Sequence, residues 1–144
     1  MRTFIFACIH NAGRSQMSAA FFNQHVDPKL AHAISAGTHP AEHVHPVVVD
    51  AMREVGIDLG NAKPQKLTAE LAQNAEMLVT MGCGDECPYV PGLKRDDWPL
   101  PDPQGQGIET VRQARDEIEQ RVLRLLAHEQ LSPNTSSASQ SSSA

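Results

Sequence analysis

The feature that most constrains the fold is a short apolar run, Thr3 to Ala7, that carries on into Cys8-Ile9 and stops at His10-Asn11-Ala12-Gly13. Aromatic and β-branched residues at consecutive positions, ended by small and polar ones, read as a buried strand entering a tight loop. A helical pattern follows at once. Met17, Ala20 and Phe21 share one face and Pro28 closes the segment.

The same order repeats. Ala31 to Ala36 is a second candidate strand ending at Gly37, and His45-Pro46-Val47 opens a helix whose face holds Val48, Met52 and Val55, with Gly56 as its stop. Thr68 caps a short helix through Leu71, and Glu76 to Met81 reads as a third buried strand ending at Gly82-Cys83. The stretch from there to Gly107 is rich in proline and glycine, with room for a brief fourth strand between Leu93 and Trp98. Ile108, Val111, Ile118, Val122 and Leu125 then mark a final amphipathic helix ending near His128. Strands alternating with helices favour a parallel sheet.

With 144 residues the chain fits one domain. The working domain is expected over residues 1–130. Residues 131–144, Ser-rich and without large apolar side chains after Leu131, read as a disordered tail. Twelve Lys and Arg against seventeen Asp and Glu give a formal net charge of -5, which argues against a chain-wide surface for nucleic acid or anionic lipid. No apolar run reaches the roughly 18 residues of a membrane helix. The N-terminal run has neither the basic flank nor the cleavage site of a signal peptide, so the expected location is cytoplasmic. Three cysteines cannot all pair within one chain, which points to thiols with a chemical task in a reducing compartment.

The segment Cys8-Ile9-His10-Asn11-Ala12-Gly13-Arg14-Ser15 lies between the first strand and the first helix. A loop that opens a helix aims several backbone N–H groups at one point, where the helix dipole also favours negative charge; a tetrahedral oxyanion suits that place. Arg14 offers a planar fork for two anion oxygens. A thiol beside a helix start and a guanidinium gives up its proton more readily, and the thiolate is the attacking form. Ser15 is expected to orient the Cys8 sulfur, and Asn11 to brace the loop through side-chain bonds to backbone. The plainer reading, Cys8 as a small buried hydrophobe and Arg14 in a surface ion pair, does not account for this spacing between a strand and a helix.

This loop, Ser35-Ala36-Gly37-Thr38, Val55-Gly56-Ile57-Asp58 and Asp102-Pro103 together resemble the low-molecular-weight protein tyrosine phosphatase family. Arg14-Ser15-Gln16-Met17 and the Cys83/Cys87 pair look more like its arsenate reductase branch. The resemblance implies a single three-layer α/β domain, a four-stranded parallel sheet with helices on both faces and the active loop at the C-terminal end of the first strand. It also implies Cys8 as nucleophile, Arg14 as anion ligand and Asp102 as general acid; on sequence alone Asp96 and Asp97 are nearby rivals for the acid, and read as ordinary solvated loop charges. Cys83, leaving the third strand on the edge that carries Cys8, and Cys87 would form a thiol relay. The implied activity is reduction of arsenate to arsenite for arsenic detoxification. The implied ligands are arsenate, or phosphate or sulfate in its place, and the reductant is thioredoxin, a glutaredoxin-like protein or a low-molecular-weight thiol.

No cofactor is implied. Ala19 stands where thioredoxin-coupled relatives carry a glutamate that helps bind potassium, so that metal site does not carry over. The close spacing of Cys83 and Cys87 resembles members reduced by a small thiol and a glutaredoxin-like protein. Gln104-Gly105-Gln106 follows Asp102-Pro103 where tyrosine phosphatases of the family have aromatics, which favours a small inorganic oxyanion over an aryl phosphate. A phosphatase acting on phosphotyrosine or small phosphate esters, and a non-enzymatic oxyanion sensor, are the alternatives. His39, His43 and His45 match no recognised zinc spacing and read as a polar loop.

Overall fold

A computed structural model describes residues 2–81, 92–100 and 107–133. Cys83, Cys87, Asp102 and the bulk of the expected tail lie outside the described residues.

Four strands, β1 (Arg2–Cys8), β2 (Ala31–Gly37), β3 (Met77–Thr80) and β4 (Lys94–Asp97), form one sheet in the order β2-β1-β3-β4 with every pairing parallel. The helices are α1 (Arg14–His25), α2 (Pro46–Arg53), the short α3 (Ala69–Gln73) and α4 (Ile108–His128). The α/β class, the parallel sheet and its four strands therefore agree with the sequence expectation.

Period-two alternation along β1 separates two cores. Phe4, Phe6 and Cys8 face the larger one, with Phe22 of α1, Met52 of α2 and Val122 and Leu126 of α4. Ile5 and Ala7 face the smaller one, with Leu67, Leu78 and Ala72 of α3. Helices thus cover both faces, which is why the run is apolar at consecutive positions. The Phe22 ring lies 5.0 Å from that of Phe4 and 5.8 Å from that of Phe6, and Trp98 closes the group 5.6 Å from Phe6.

The two sheet edges differ. On β2, Asn23 of α1 satisfies the outer backbone by donating to Ala33 O and accepting from Ala33 N, at 2.9 and 2.8 Å. The segment after α2 seals the end of the same strand: Gly37 N donates to Gln65 O, and Leu67 N to Gly37 O. At the other edge all four residues of β4 are exposed, and their side chains are charged, a composition that discourages pairing with another strand.

Several local signals act as expected. Pro46 opens α2, Thr68 Oγ1 accepts from Leu71 N at 3.1 Å, and Gly56 turns the chain at φ +84°. Two expectations need correction. Val55 does not belong to the buried face of α2, because the helix ends at Arg53 and Val55 is exposed in the turn beyond it. Leu131, assigned to the tail, is buried: its N–H donates to Leu126 O, its carbonyl accepts from Asp27 N, and Gln130 before it takes φ +60° to end α4. This is the 6→1 bond of a left-handed helix cap, with the apolar side chain folded back onto the core. No helix of the described residues is long and apolar enough to cross a membrane.

Candidate active site

In the strand order β2-β1-β3-β4 the connections leaving β1 and β3 run to opposite sides, which opens a crevice beyond the C-terminal ends of these two strands. Cys8 is the last residue of β1 and is almost wholly buried. The loop from Ile9 to Gly13 leads from it into α1.

What shapes the loop is the fate of its carbonyls. Cys8 O accepts from Thr38 N at 3.3 Å, Ile9 O from His39 N at 2.7 Å, His10 O from Ala41 N at 2.9 Å and Ala12 O from His45 N at 3.0 Å. Asn11 O accepts from the Gln16 side chain at 3.0 Å, and Gly13 O from Met17 N at 3.0 Å as the first turn of α1. In a planar trans peptide the C=O and the next N–H point in opposite directions. Holding the carbonyls of residues 8 to 13 outward therefore turns the N–H groups of Ile9 to Arg14 toward the other side of the loop. An inward row of amides at a helix N-terminus is an anion cradle.

The close approach that permits these bonds depends on Gly37. A Cβ there would lie 2.6 Å from Ile9 O and 2.9 Å from Asn11 N, so only glycine lets the end of β2 lie against the loop. Asn11 takes the left-handed conformation, φ +52°, and is fully buried. Its side chain bridges three parts of the chain: Nδ2 donates to Ser15 Oγ at 2.8 Å, while Oδ1 accepts from Gln65 N at 2.9 Å and from Gln16 Nε2 at 3.2 Å. Ser15 Oγ is 3.0 Å from Cys8 Sγ. The expected roles of Asn11 as brace and of Ser15 as neighbour of the sulfur are thus matched by contacts.

Arg14 is buried at the first position of α1, and its Nη1 donates to Leu100 O at 2.9 Å. The side chain therefore ties the helix start to the segment that runs on to Asp102. On the far side, Met81 N donates to Ala7 O at 2.8 Å, so the chain leaving β3 sits beside the end of β1 two residues before Cys83. Asp96 and Asp97 are exposed on β4, where they accept from Trp98 Nε1 and Thr80 Oγ1, in keeping with their reading as solvated charges. His39 and His45 engage the loop through backbone N–H groups. Among the described residues no group of three or more His, Cys, Asp or Glu is placed to hold a metal ion.

The roles of two site residues escape sequence reasoning. Gln16 stands in the Arg14-Ser15-Gln16-Met17 motif that marks the resemblance, but the motif does not show that its side chain bonds to Asn11. Gln65 carries no signal, since it meets Asn11 across 54 residues and through its backbone.

A buried thiol at the end of a central parallel strand, followed by a loop whose carbonyls are tied outward and by a helix that opens on a buried arginine, is the arrangement of a three-layer α/β phosphatase-like fold. The chain belongs to the low molecular weight phosphotyrosine protein phosphatase family, whose model matches residues 3–137. A Halobacterium salinarum protein that carries arsenate reductase as a provisional name is 40% identical over 126 residues, covering 85% of this chain and 89% of that one. A glutaredoxin arsenate reductase of Synechocystis is 32% identical over 130 residues, 88% of this chain and 98% of that protein. Among solved structures, a thioredoxin-dependent arsenate reductase of Corynebacterium glutamicum superposes with a TM-score of 0.79 at 33% identity. That match covers 90% of this chain, which spans 62% of the length of the Corynebacterium chain.

Proposed function

We propose that this protein reduces arsenate to arsenite, with Cys8 as the attacking thiol. The observation that carries the reading is the outward anchoring of the loop carbonyls around a buried cysteine, which supports an oxyanion site directly above the sulfur. The names of its relatives point to arsenate as the anion.

In this scheme the Cys8 thiolate attacks arsenic, and one oxygen leaves as water after Asp102 gives it a proton; an arsenic(V)–sulfur bond remains. Cys83, as thiolate, then attacks the Cys8 sulfur. The sulfur–arsenic electron pair goes to arsenic, which leaves as arsenite, and the two electrons come from the two sulfurs, now a Cys8–Cys83 disulfide. Cys87, as thiolate, attacks the Cys83 sulfur, which releases Cys8 as thiolate and leaves a Cys83–Cys87 disulfide, and a thioredoxin, a glutaredoxin-like protein or a low-molecular-weight thiol reduces that disulfide. The amides of Ile9 to Ser15 and the Arg14 guanidinium hold the anion, and the reaction belongs in the cytoplasm. The working unit of the reaction is the domain that runs through Leu131.

A single-turnover assay with arsenate, on the parent and on Cys8→Ser, Cys83→Ser and Cys87→Ser, tests the scheme. Arsenite should require Cys8, and Cys83→Ser should prevent the intramolecular disulfide. The family model favours one second reading, hydrolysis of phosphate esters at the same loop. Rapid turnover of an aryl phosphate without any arsenite would select it.

A further inference from the structure

Five groups form a connected chain that runs from the exposed Gln65, through its N–H, to the buried side chains of Gln16, Asn11, Ser15 and Cys8. Asn11 and Ser15 are fully buried, Cys8 is 3% exposed and Gln16 6%. The two nearly symmetric ends of an amide side chain are usually told apart only by the surrounding hydrogen bonds. Here backbone groups of fixed polarity settle both. Gln65 N–H can only donate, so the Asn11 atom it meets at 2.9 Å is the oxygen, and the NH2 faces Ser15. The Asn11 backbone carbonyl can only accept, so the Gln16 atom it meets at 3.0 Å is the nitrogen. That same nitrogen lies 3.2 Å from Asn11 Oδ1 and reinforces the orientation of the Asn11 amide.

The consequence reaches the sulfur. A hydroxyl has one hydrogen to give and two lone pairs to receive with. Asn11 NH2 occupies one lone pair of Ser15 Oγ and leaves its hydrogen free; a Cys8 thiolate can only accept, so in the attacking form Ser15 donates to the sulfur 3.0 Å away. We propose that Gln16 is a positioning residue for the reaction: by donating to both oxygens of Asn11 it locks the amide orientation that Gln65 N–H selects, so that Ser15 donates to Cys8 and holds the sulfur in attack position. Buried networks of this kind strengthen bond by bond and weaken as a unit when one member is reversed.

The inference rests on Cys8 as the attacking thiol. Two side chains of nearly the same size as glutamine separate polarity from packing. Gln16→Met keeps the volume and removes the donor; Gln16→Glu sets an acceptor against the two Asn11 oxygens. Measured as kcat for arsenate and as the rate of Cys8 alkylation by iodoacetamide, Gln16→Met should lose about five- to tenfold, the equivalent of one hydrogen bond, and Gln16→Glu more. The inhibition constant of phosphate should change less than kcat, because only Asn11 O loses its anchor and the other five loop carbonyls keep theirs. His10 in the loop, and His39 and His45 bonded to it, remain in place in both variants, so the comparison is made at one pH.

A double-mutant cycle with Ser15→Ala decides the route. If Gln16 acts through Ser15, Gln16→Met should have little further effect once Ser15 is gone. Additive losses, or a Gln16→Met protein with the parent's kcat and alkylation rate, would overturn the proposal, and the Met variant keeps it testable if Gln16→Glu does not fold. Arsenate turnover that survives complete alkylation of Cys8 would instead remove the underlying reading of the nucleophile.

Discussion

The two ends of β1 are built on opposite principles. At the C-terminal end, the buried Cys8, Asn11 and Ser15 and the loop around them are held by neutral hydrogen bonds, most of them to backbone groups of residues nearer the surface. At the N-terminal end, Arg2 binds Glu76 and Glu129, and Lys94 approaches the same two carboxylates, in a half-exposed cluster of full charges. A second cluster, part-exposed Glu54 and Arg112 with the buried Arg115, pins the end of α2 to α4. The difference follows from what each end must do. A site that receives an anion needs donors of fixed direction in a dry place, whereas a strand end that only joins elements tolerates screened, adjustable ion pairs.

This contrast sets an order of expected effects. The largest is at the sulfur: Cys8→Ser should lower arsenate turnover on the order of a thousandfold or more while the fold persists, as checked by single-turnover arsenite yield and circular dichroism. Next comes Gly37→Ala, whose methyl group would meet Ile9 O at 2.6 Å. The loop backbone must shift to admit it, and a displacement of that kind at a reacting geometry should reduce kcat/KM by about a hundredfold. A crystal structure of the variant with an unmoved loop would contradict that account.

The charged clusters should respond to acid instead. Hydrogen bonds from Arg112 and then Arg115 pull the Glu54 carboxyl down from 4.5 to about 2, and a bond from Arg2 lowers that of Glu76. In the unfolded chain these carboxylates take up protons at higher pH than in the fold, so their stabilisation is intact above about pH 4.5 and fades as pH falls toward the folded values. Glu54→Gln should therefore flatten the decline of Tm between about pH 4.5 and 2.5, and an unchanged acid limb would show that this cluster does not govern it. The smallest effect belongs to Arg2→Ala. Half-exposed ion pairs contribute little, so a stability loss of about 1 kcal/mol or less is expected in urea unfolding, with arsenate turnover unchanged. A large loss of turnover would erase the distinction between the two ends of β1.

The same contrast explains what was legible in the chain. Local signals placed the strands, the capping of α3 by Thr68, the Pro46 start of α2 and the amphipathic face of α4, because each is written within a few neighbouring residues. They failed where an end depended on packing: Val55 has the right spacing for the α2 face but lies past the helix end, and Leu131 looks like the start of a tail but plugs the core. Within the site, Cys8, Asn11, Arg14 and Ser15 were readable from their spacing between a strand and a helix.

By itself, then, the sequence determined a buried strand, a cysteine at its end and an arginine opening the following helix, since hydrophobic period and residue type are local properties. The tertiary structure decided which way the loop faces. That depends on Thr38, His39, Ala41 and His45 offering backbone N–H groups to its carbonyls, on Gly37 making room and on Gln65 reaching Asn11. Every residue but proline carries the same backbone donor, so a contact made through it leaves no mark on residue type, and only the folded chain shows where it goes.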